Sequence, residues 1–305
     1  NAPNNYTMTR IDSNGNVQRC QRFFPTGHTA IGAIQRGNSV IQYGHQNLNT
    51  AFLLNSDTSG SITWMRQIMP IAPGYRPYIA GSAFQGSRII CSGQMVPTVI
   101  GNPYMGFVTC FDTTGNCLWT ITILDSAKEV YSTRCVVLAD STIMLIGHVT
   151  WTDAFGSHNE GTLAHLDVVG NVVSAIRFPE WYPNMIITAS NGSFLMVGQT
   201  SAVSPNTQWA HFICLLDSNL QPVWTRKYEI PLNLIQTSIA LKEVSNGIGI
   251  YVAQSLVFGQ YAATILKFDL ANGNLIEQWS LGSPNDFRCS GAIITDSRVY
   301  MVGGS

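Results

Sequence analysis

One short turn recurs six times along the chain at nearly constant spacing. In five of the six copies two or three residues separate an aspartate from a glycine, as in Asp57-Thr-Ser-Gly60 and Asp112-Thr-Thr-Gly115. An aspartate favours the start of such a turn because its carboxylate accepts bonds from the amides ahead, and glycine tolerates positive φ near the end. The aspartates lie 45, 55, 55, 50 and 52 residues apart, at Asp12, Asp57, Asp112, Asp167, Asp217 and Asp269.

The segment around one copy contains four short runs typical of β-strands. They are rich in β-branched and aromatic residues, are bounded by Gly, Pro, Asn and Ser, and are named A, B, C and D in chain order. In the second full repeat they cover residues 78–83, 88–91, 105–111 and 117–123. A period near 50 residues, with four strands and no helical pattern, predicts an all-β fold of the β-propeller type, in which each repeat is one blade.

The two ends of the chain carry complementary halves of a repeat. Residues 5–23 contain strands C and D, and residues 287–305 contain strands A and B. We therefore expect a single domain, 1–305, with six four-stranded antiparallel blades, in which the N-terminal C and D strands join the C-terminal A and B strands and close the ring. The expected blades are 28–69, 78–124, 131–178, 184–230, 235–281, and 287–305 with 5–23.

A tryptophan follows the turn in four copies. We predict that these residues pack an outer strand onto the neighbouring blade rather than bind a ligand, and they are Trp64, Trp119, Trp224 and Trp279. The pattern Asp-x-x-Gly-x-x-x-Trp, as in Asp57 to Trp64, resembles the repeats of quinoprotein-like propellers. Those repeats place the glycine one residue later, as the copy from Asp269 to Gly273 does. The resemblance implies a propeller fold; quinone-binding residues have no counterpart here, so no activity or cofactor is carried over.

The surface is expected to be polar but poor in charge. Only 11% of the residues are charged and the net charge is −1, which argues against a broad electrostatic grip on nucleic acid. No apolar run approaches the roughly 18 residues of a membrane helix, so membrane insertion is not expected. Surfaces made of uncharged polar residues suit secreted proteins, carbohydrate-facing proteins and virion fibres, and we predict an extracellular or virion-surface location.

The seven cysteines follow no metal-binding spacing. We expect them to be mostly reduced and structural, because they are scattered over four strand types and their number is odd. One disulfide is conceivable, between Cys110 and Cys117, which flank a tight turn.

Sequence motifs for catalysis are lacking: there is no phosphate loop, zinc-protease helix or nucleophile elbow. At the end of strand B, however, five repeats carry a histidine or glutamine, namely His45, Gln94, His148, Gln199 and Gln254. These residues form either a polar ring near the axis or a repeated hydrogen bond to the next blade, and the second interpretation is favoured since buried polar groups need partners. No cofactor or metal site is predicted.

The D–A and B–C connections carry unusual aromatic residues, whereas the C–D turns are short and uniform. Flat amphipathic rings bind proteins and sugars at low entropic cost, so we predict a binding surface on the side where these connections open. Packing of the rings on one another is the alternative. The predicted ligand-binding residues, expected to form one patch over blades two, three and four, are Trp151, His158, Trp181, Tyr182, Trp209, Tyr75, Arg76 and Tyr104.

Two classes of function are therefore compatible with the sequence. The favoured one is a non-enzymatic recognition or assembly module that binds a protein or a glycan, with possible homo-oligomers. The alternative is a hydrolase or lyase of glycans or esters with its site at the propeller axis. Its candidate acidic residues are Asp125, Glu129, Asp153, Glu160, Glu180 and Asp286.

Overall fold

The structure is a computed structural model and describes most of the chain as β-strands. The described residues are 6–11, 17–24, 28–46, 50–124, 128–154, 156–179, 181–200, 210–228, 233–244, 247–257, 260–282 and 288–304. Within them every regular element is a strand, and none of these segments is a helix of the length and apolarity needed to cross a membrane.

Twenty-four strands occur in these segments. In chain order they are β1 Tyr6–Ile11, β2 Val17–Phe24, β3 His28–Arg36, β4 Ser39–Gln46, β5 Thr50–Asp57, β6 Ile62–Ile68, β7 Tyr75–Gln85, β8 Arg88–Pro97, β9 Met105–Asp112, β10 Cys117–Ile123, β11 Glu129–Val137, β12 Ile143–Asp153, β13 Gly156–Leu166, β14 Val172–Pro179, β15 Trp181–Thr188, β16 Phe194–Thr200, β17 Ala210–Leu216, β18 Pro222–Tyr228, β19 Asn233–Val244, β20 Ile248–Val257, β21 Gln260–Asp269, β22 Leu275–Gly282, β23 Arg288–Ile294 and β24 Val299–Gly304.

The strands form five four-stranded antiparallel sheets, each with its strands in chain order. These blades are β3–β6, β7–β10, β11–β14, β15–β18 and β19–β22. The fold class, a β-propeller of four-stranded blades, is thus confirmed. The expected count of six blades is wrong: β1 and β2 form one two-stranded sheet, and β23 and β24 form another. Each of these sheets pairs two strands that follow each other in the chain, the pairing with the lowest loop-closure entropy.

The chain divides into two compact units, described one at a time below. The first comprises residues 1–145 and 164–174, and the second comprises residues 146–163 and 175–305. In the first unit Ile79, Met95 and Phe107 are fully buried in one apolar cluster. In the second, Tyr251 and Phe268 are fully buried in another.

The repeated turn has the geometry that its sequence predicts. In the copy at Asp112, the amide of Gly115 donates to the Asp112 carbonyl at 3.1 Å, and the Asp112 amide donates to the Asn116 carbonyl at 3.0 Å. Gly115 has φ of 83°, and a register shift follows as the chain enters β10, which is the turn-plus-bulge form of a short hairpin. The Asp112 carboxylate accepts bonds from Thr114 and Asn116, which lower its pKa to about 2.

In the first unit the turn tryptophans cover the next turn along the chain, as predicted. Trp64 Nε1 donates to the Thr113 carbonyl at 2.7 Å, and the Trp64 ring lies against Gly115. Trp119 lies equally close to Gly170, where an added Cβ would meet the indole ring at 2.9 Å. These glycines therefore serve both the positive φ of the turn and the close approach of an indole.

The second unit repeats this packing once and departs from it once. Trp224 Nε1 donates to the Leu270 carbonyl at 2.8 Å, and its ring lies against Gly273. Trp279 instead is 43% exposed and lines an open cleft of about 500 Å³ with Arg298 and Val299. The turn at residues 12–16 lies outside the described residues.

Several strands are longer than the sequence indicated. The second and fourth blades were expected to begin at residues 78 and 184, but β7 begins at Tyr75 and β15 at Trp181. The B–C connection of the third blade is mostly strand, since β12 extends to Asp153 and β13 begins at Gly156. These extensions pair with each other, as in Tyr75 opposite Pro97, so backbone pairing continues past the core. Pro77 and Pro183 are tolerated because strand A is the edge of its sheet.

Candidate binding surfaces

The strand extensions hold the predicted binding residues at one end of each blade. We call the end with the D–A and B–C connections the loop end, and the end with the A–B and C–D turns the turn end. Tyr75 and Arg76 lie on β7, Trp151 on β12, His158 on β13, and Trp181 and Tyr182 on β15. Tyr104 lies in the connection just before β9, and Trp209 lies outside the described residues. The predicted residues are thus presented mainly by hydrogen-bonded strands rather than by irregular loops.

In the first unit, the loop end of blade β7–β10 carries an exposed apolar surface. Met69 is 66% exposed, Ile71 43%, Val99 55%, and Ile100 is fully exposed. We call these four residues the apolar loop surface. The connections that carry them contact each other, because the Thr98 amide donates to the Gly74 carbonyl at 2.7 Å and Val99 packs over Gly74.

The aromatic residues of this unit are less available than the aliphatic ones. Tyr75 packs against the apolar core cluster. The Tyr104 ring stacks on Tyr131 with centroids 4.8 Å apart, and the Tyr104 carbonyl accepts the Val130 amide at 2.9 Å. The predicted residues Tyr75 and Tyr104 therefore support the loop end by packing, the alternative that the sequence left open.

His45, the first member of the repeated His/Gln position, contacts an aromatic ring. Its imidazole lies 4.3 Å from the Tyr78 ring of the following blade, centroid to centroid. Burial, with Arg76 nearby, lowers the pKa of His45, and burial raises the pKa of Tyr78.

In the second unit the β12–β13 hairpin carries a stacked aromatic pair. The Trp151 indole and the His158 imidazole are 5.0 Å apart with an interplanar angle of 17°. His158 Nε2 is 2.9 Å from an Asp153 carboxylate oxygen. Ring, imidazole and carboxylate are all partly or fully exposed, so the hairpin offers a flat surface flanked by a hydrogen-bonding edge.

Trp181 is held differently, between two phenylalanines. Its ring stacks on that of Phe178 with centroids 5.2 Å apart and an interplanar angle of 5°. The centroid of the Phe212 ring lies 4.6 Å from that of Trp181. Gly161 permits β15 to approach closely, since a Cβ there would come within 2.6 Å of Pro183 Cδ and 2.8 Å of the Trp181 carbonyl. Both tryptophans are partly buried, and they differ in what they stack on: Trp181 on phenylalanines and Trp151 on a histidine.

The remaining histidines of the second unit are buried. His148, at the repeated position, meets the Tyr182 ring edge-on at 5.1 Å, and burial lowers its pKa to about 4. His211 Nδ1 is 2.8 Å from the Tyr251 hydroxyl, which is 2.8 Å from Ser238 Oγ. Burial lowers the pKa of His211 to about 4. At this repeated position His45 and His148 each contact a ring of the next blade, Tyr78 and Tyr182 respectively. The repeated hydrogen bond to the next blade stays a prediction.

The described acidic candidates for catalysis each contact a polar or basic side chain. Asp153 lies beside His158, Glu160 is 3.4 Å from the Arg177 guanidinium, and Glu129 accepts the Tyr131 hydroxyl at 2.7 Å. The other three candidates, Asp125, Glu180 and Asp286, lie outside the described residues. Over the described segments, no group of three or more His, Cys, Asp or Glu side chains has an arrangement that could hold a metal.

The cysteines agree with the expectation of free thiols. Six of the seven form no disulfide, and the side chain of Cys20 is not among those described. The register places Cys110 opposite Trp119 and Cys117 opposite Phe111, so the conceivable disulfide across this turn does not form. Cys117 is exposed, and the other five are buried.

A cleft of about 620 Å³ lies at the turn end in the second unit, away from the predicted residues. Its lining includes Asp217 and Glu243. Glu243 accepts the Ser190 hydroxyl at 2.7 Å, and Asp217 accepts the amides of its own turn, so both carboxylates serve the backbone and its turns.

The apolar loop surface was not predicted from the sequence. The run Val96-Pro-Thr-Val-Ile100 contains the available signal, because it places three aliphatic residues between two strands with only a proline and a threonine among them.

No protein-family model and no curated protein matches the sequence. Solved structures do match in fold. Trypanosoma rangeli sialidase in complex with sialic acid is 8% identical, with a TM-score of 0.56 over 97% of this chain and 54% of the sialidase. A Synechocystis apocarotenoid oxygenase mutant is 9% identical, with a TM-score of 0.55 over 90% of this chain and 67% of the oxygenase. Drosophila Plexin A in complex with Semaphorin 1b is 9% identical, with a TM-score of 0.54 over 97% of this chain and 79% of the plexin. This chain therefore spans about half of the sialidase, and at these identities the likeness shows the fold alone.

Proposed function

We propose that this chain is a non-enzymatic recognition module that binds a protein partner through the loop ends of its blades. The apolar loop surface is the observation that carries the proposal: Ile100 is fully exposed and Met69 is 66% exposed. Exposed aliphatic residues on two connections that contact each other are costly in water, and exposed apolar patches commonly mark protein-binding sites. Glycans, in contrast, stack on rings and hydrogen-bond to polar groups.

The stacked pair on the β12–β13 hairpin supports the same proposal in the second unit. The centroids of the Trp151 and His158 rings are 5.0 Å apart, and His158 Nε2 is 2.9 Å from an Asp153 carboxylate oxygen. The group therefore combines a flat ring, an imidazole and a carboxylate. Such a group suits a central anchor of a protein interface, and it is also the feature of this chain that best suits a glycan. The low share of charged residues supports an extracellular or virion-surface location for this chain, whether its partner is a protein or a glycan.

The test is a partner screen followed by matched substitutions. The purified chain is screened against displayed protein libraries and a glycan array, and the hits are measured with Ile100→Asp and Ile62→Asp. Both side chains are exposed isoleucines, but Ile62 lies at the turn end of its blade. We expect Ile100→Asp to weaken a protein hit by about 30-fold or more, the effect of a hot-spot residue, and Ile62→Asp to leave it unchanged.

Three results are informative. Loss of binding in Ile62→Asp with retention in Ile100→Asp would move the site to the turn end. If the chain binds glycans, and Trp151→Ala abolishes that binding while Ile100→Asp does not, the partner is a glycan rather than a protein. Turnover of a glycan or ester by the parent chain would favour the hydrolase or lyase alternative. Equal melting temperatures establish that each variant is folded.

A further inference from the structure

Strand D is the outer edge of every blade, and the five D strands differ in how well that edge is protected. An edge strand presents a row of unpaired amides and carbonyls, and proteins commonly protect it with charged residues or proline. Among the described D strands, β6 contains Arg66, β14 contains Arg177, β18 contains Arg226 and β22 contains Glu277. The strand β10, Cys117-Leu-Trp-Thr-Ile-Thr-Ile123, contains no charged residue and no proline.

The side chains of β10 alternate as those of a well-formed strand do. Trp119, Ile121 and Ile123 pack into an apolar cluster of the first unit. The residues between them point the other way and are exposed: Leu118 is 48% exposed, and Thr120 and Thr122 are exposed too. Leu124, just past the strand, is 62% exposed. The exposed row is thus leucine, threonine, threonine and leucine, which favours further strand pairing.

We propose that β10 is a self-association edge, on which the occupant is β10 of a second copy of this chain, paired antiparallel. Charges on edge strands disfavour strand pairing, and a two-fold pair carries each charge twice on one short ladder. Such pairing is therefore less favourable for β6, β14, β18 and β22, whereas β10 brings no charge to the ladder. A leucine or threonine of one copy can lie opposite either a leucine or a threonine of the other copy.

The contact closes on itself as a dimer. Two-fold pairing uses the β10 edge of both copies and leaves no second β10 edge for a third copy. One seven-residue strand pair buries less area than a standard stable interface, so the association is expected to be weak and concentration-dependent. None of the four residues of the apolar loop surface lies on β10, so the inference does not depend on the proposed function.

The test measures mass and strand protection together. Sedimentation velocity is run over a concentration series in a Cys117→Ser background, because the exposed thiol of Cys117 could otherwise link copies covalently. We expect the mass to rise from 33.3 kDa towards twice that value. Amides of β10 should gain protection from hydrogen exchange at high concentration, while those of β6 should not.

Two matched variants decide the assignment. Thr122→Lys and Gln67→Lys introduce the same charge at equivalent, exposed positions of β10 and β6, seven residues after the turn glycine. We expect Thr122→Lys to weaken dimerisation at least tenfold and Gln67→Lys to leave it unchanged. The proposal is overturned if the parent remains monomeric to millimolar concentration, or if Thr122→Lys associates like the parent.

Discussion

At the scale of single residues, the turn glycines perform two tasks that substitution can separate. Gly170 has φ of 95° and lies against the Trp119 ring, whereas Gly86 has φ of 54° and no atom within 4 Å of the point where a Cβ would lie. Gly86→Ala adds backbone strain alone, so we expect it to cost about 1 kcal/mol of unfolding free energy. Gly170→Ala adds a contact with the indole at 2.9 Å, and we expect it to cost about 2–3 kcal/mol. Denaturant unfolding measures both.

A double-mutant cycle checks the cause of that difference. If the indole is responsible, Gly170→Ala in a Trp119→Ala background costs about as little as Gly86→Ala does in the parent. An undiminished cost in that background would assign the effect to the backbone.

At the scale of elements, the indole–turn contacts differ in one hydrogen bond. Trp64 Nε1 donates to the Thr113 carbonyl, whereas Trp119 Nε1 is buried without an acceptor. The carbonyl equivalent to that of Thr113 belongs to Val168, and it accepts from the Arg88 guanidinium at 3.3 Å. Trp64→Phe and Trp119→Phe remove similar ring area, but only the first removes a hydrogen bond. We expect Trp64→Phe to cost about 1 kcal/mol more than Trp119→Phe in denaturant unfolding, and equal costs would contradict this.

The same scale shows what the sequence could and could not predict. The turns were predictable, because Asp and Gly act within four residues of each other and need no distant partner. The starts of β7 and β15 were not, because Tyr75 and Trp181 lie on strand extensions whose pairing is set by the opposite strand rather than by local preference. Trp151 and Trp181 look alike in sequence, and only the folded chain shows that Trp181 stacks on phenylalanines and Trp151 on a histidine.

At the scale of the whole molecule, buried histidines predict sensitivity to acid. Burial lowers the pKa values of His148 and His211 to about 4, below the ordinary 6.5 expected after unfolding. Between these values the unfolded chain binds more protons than the folded one, so stability is full above pH 6.5 and declines as the pH falls to about 4. Each histidine contributes a slope of about 1.4 kcal/mol per pH unit in the middle of that window.

The repeat itself supplies the variant that tests this pH dependence. Glutamine stands at the position of His148 in three other blades, so His148→Gln uses a side chain that the fold already accommodates there. We expect the variant and the parent to have the same free energy of unfolding at pH 7, and the variant to be more stable at pH 4.5. The decline of this free energy with falling pH should be less steep by the contribution of one histidine. His211 remains, so part of the slope persists. Urea unfolding at pH 7, 6, 5 and 4.5 measures the slopes. Parallel slopes for parent and variant would show that His148 takes up its proton as readily in the folded chain as in the unfolded one.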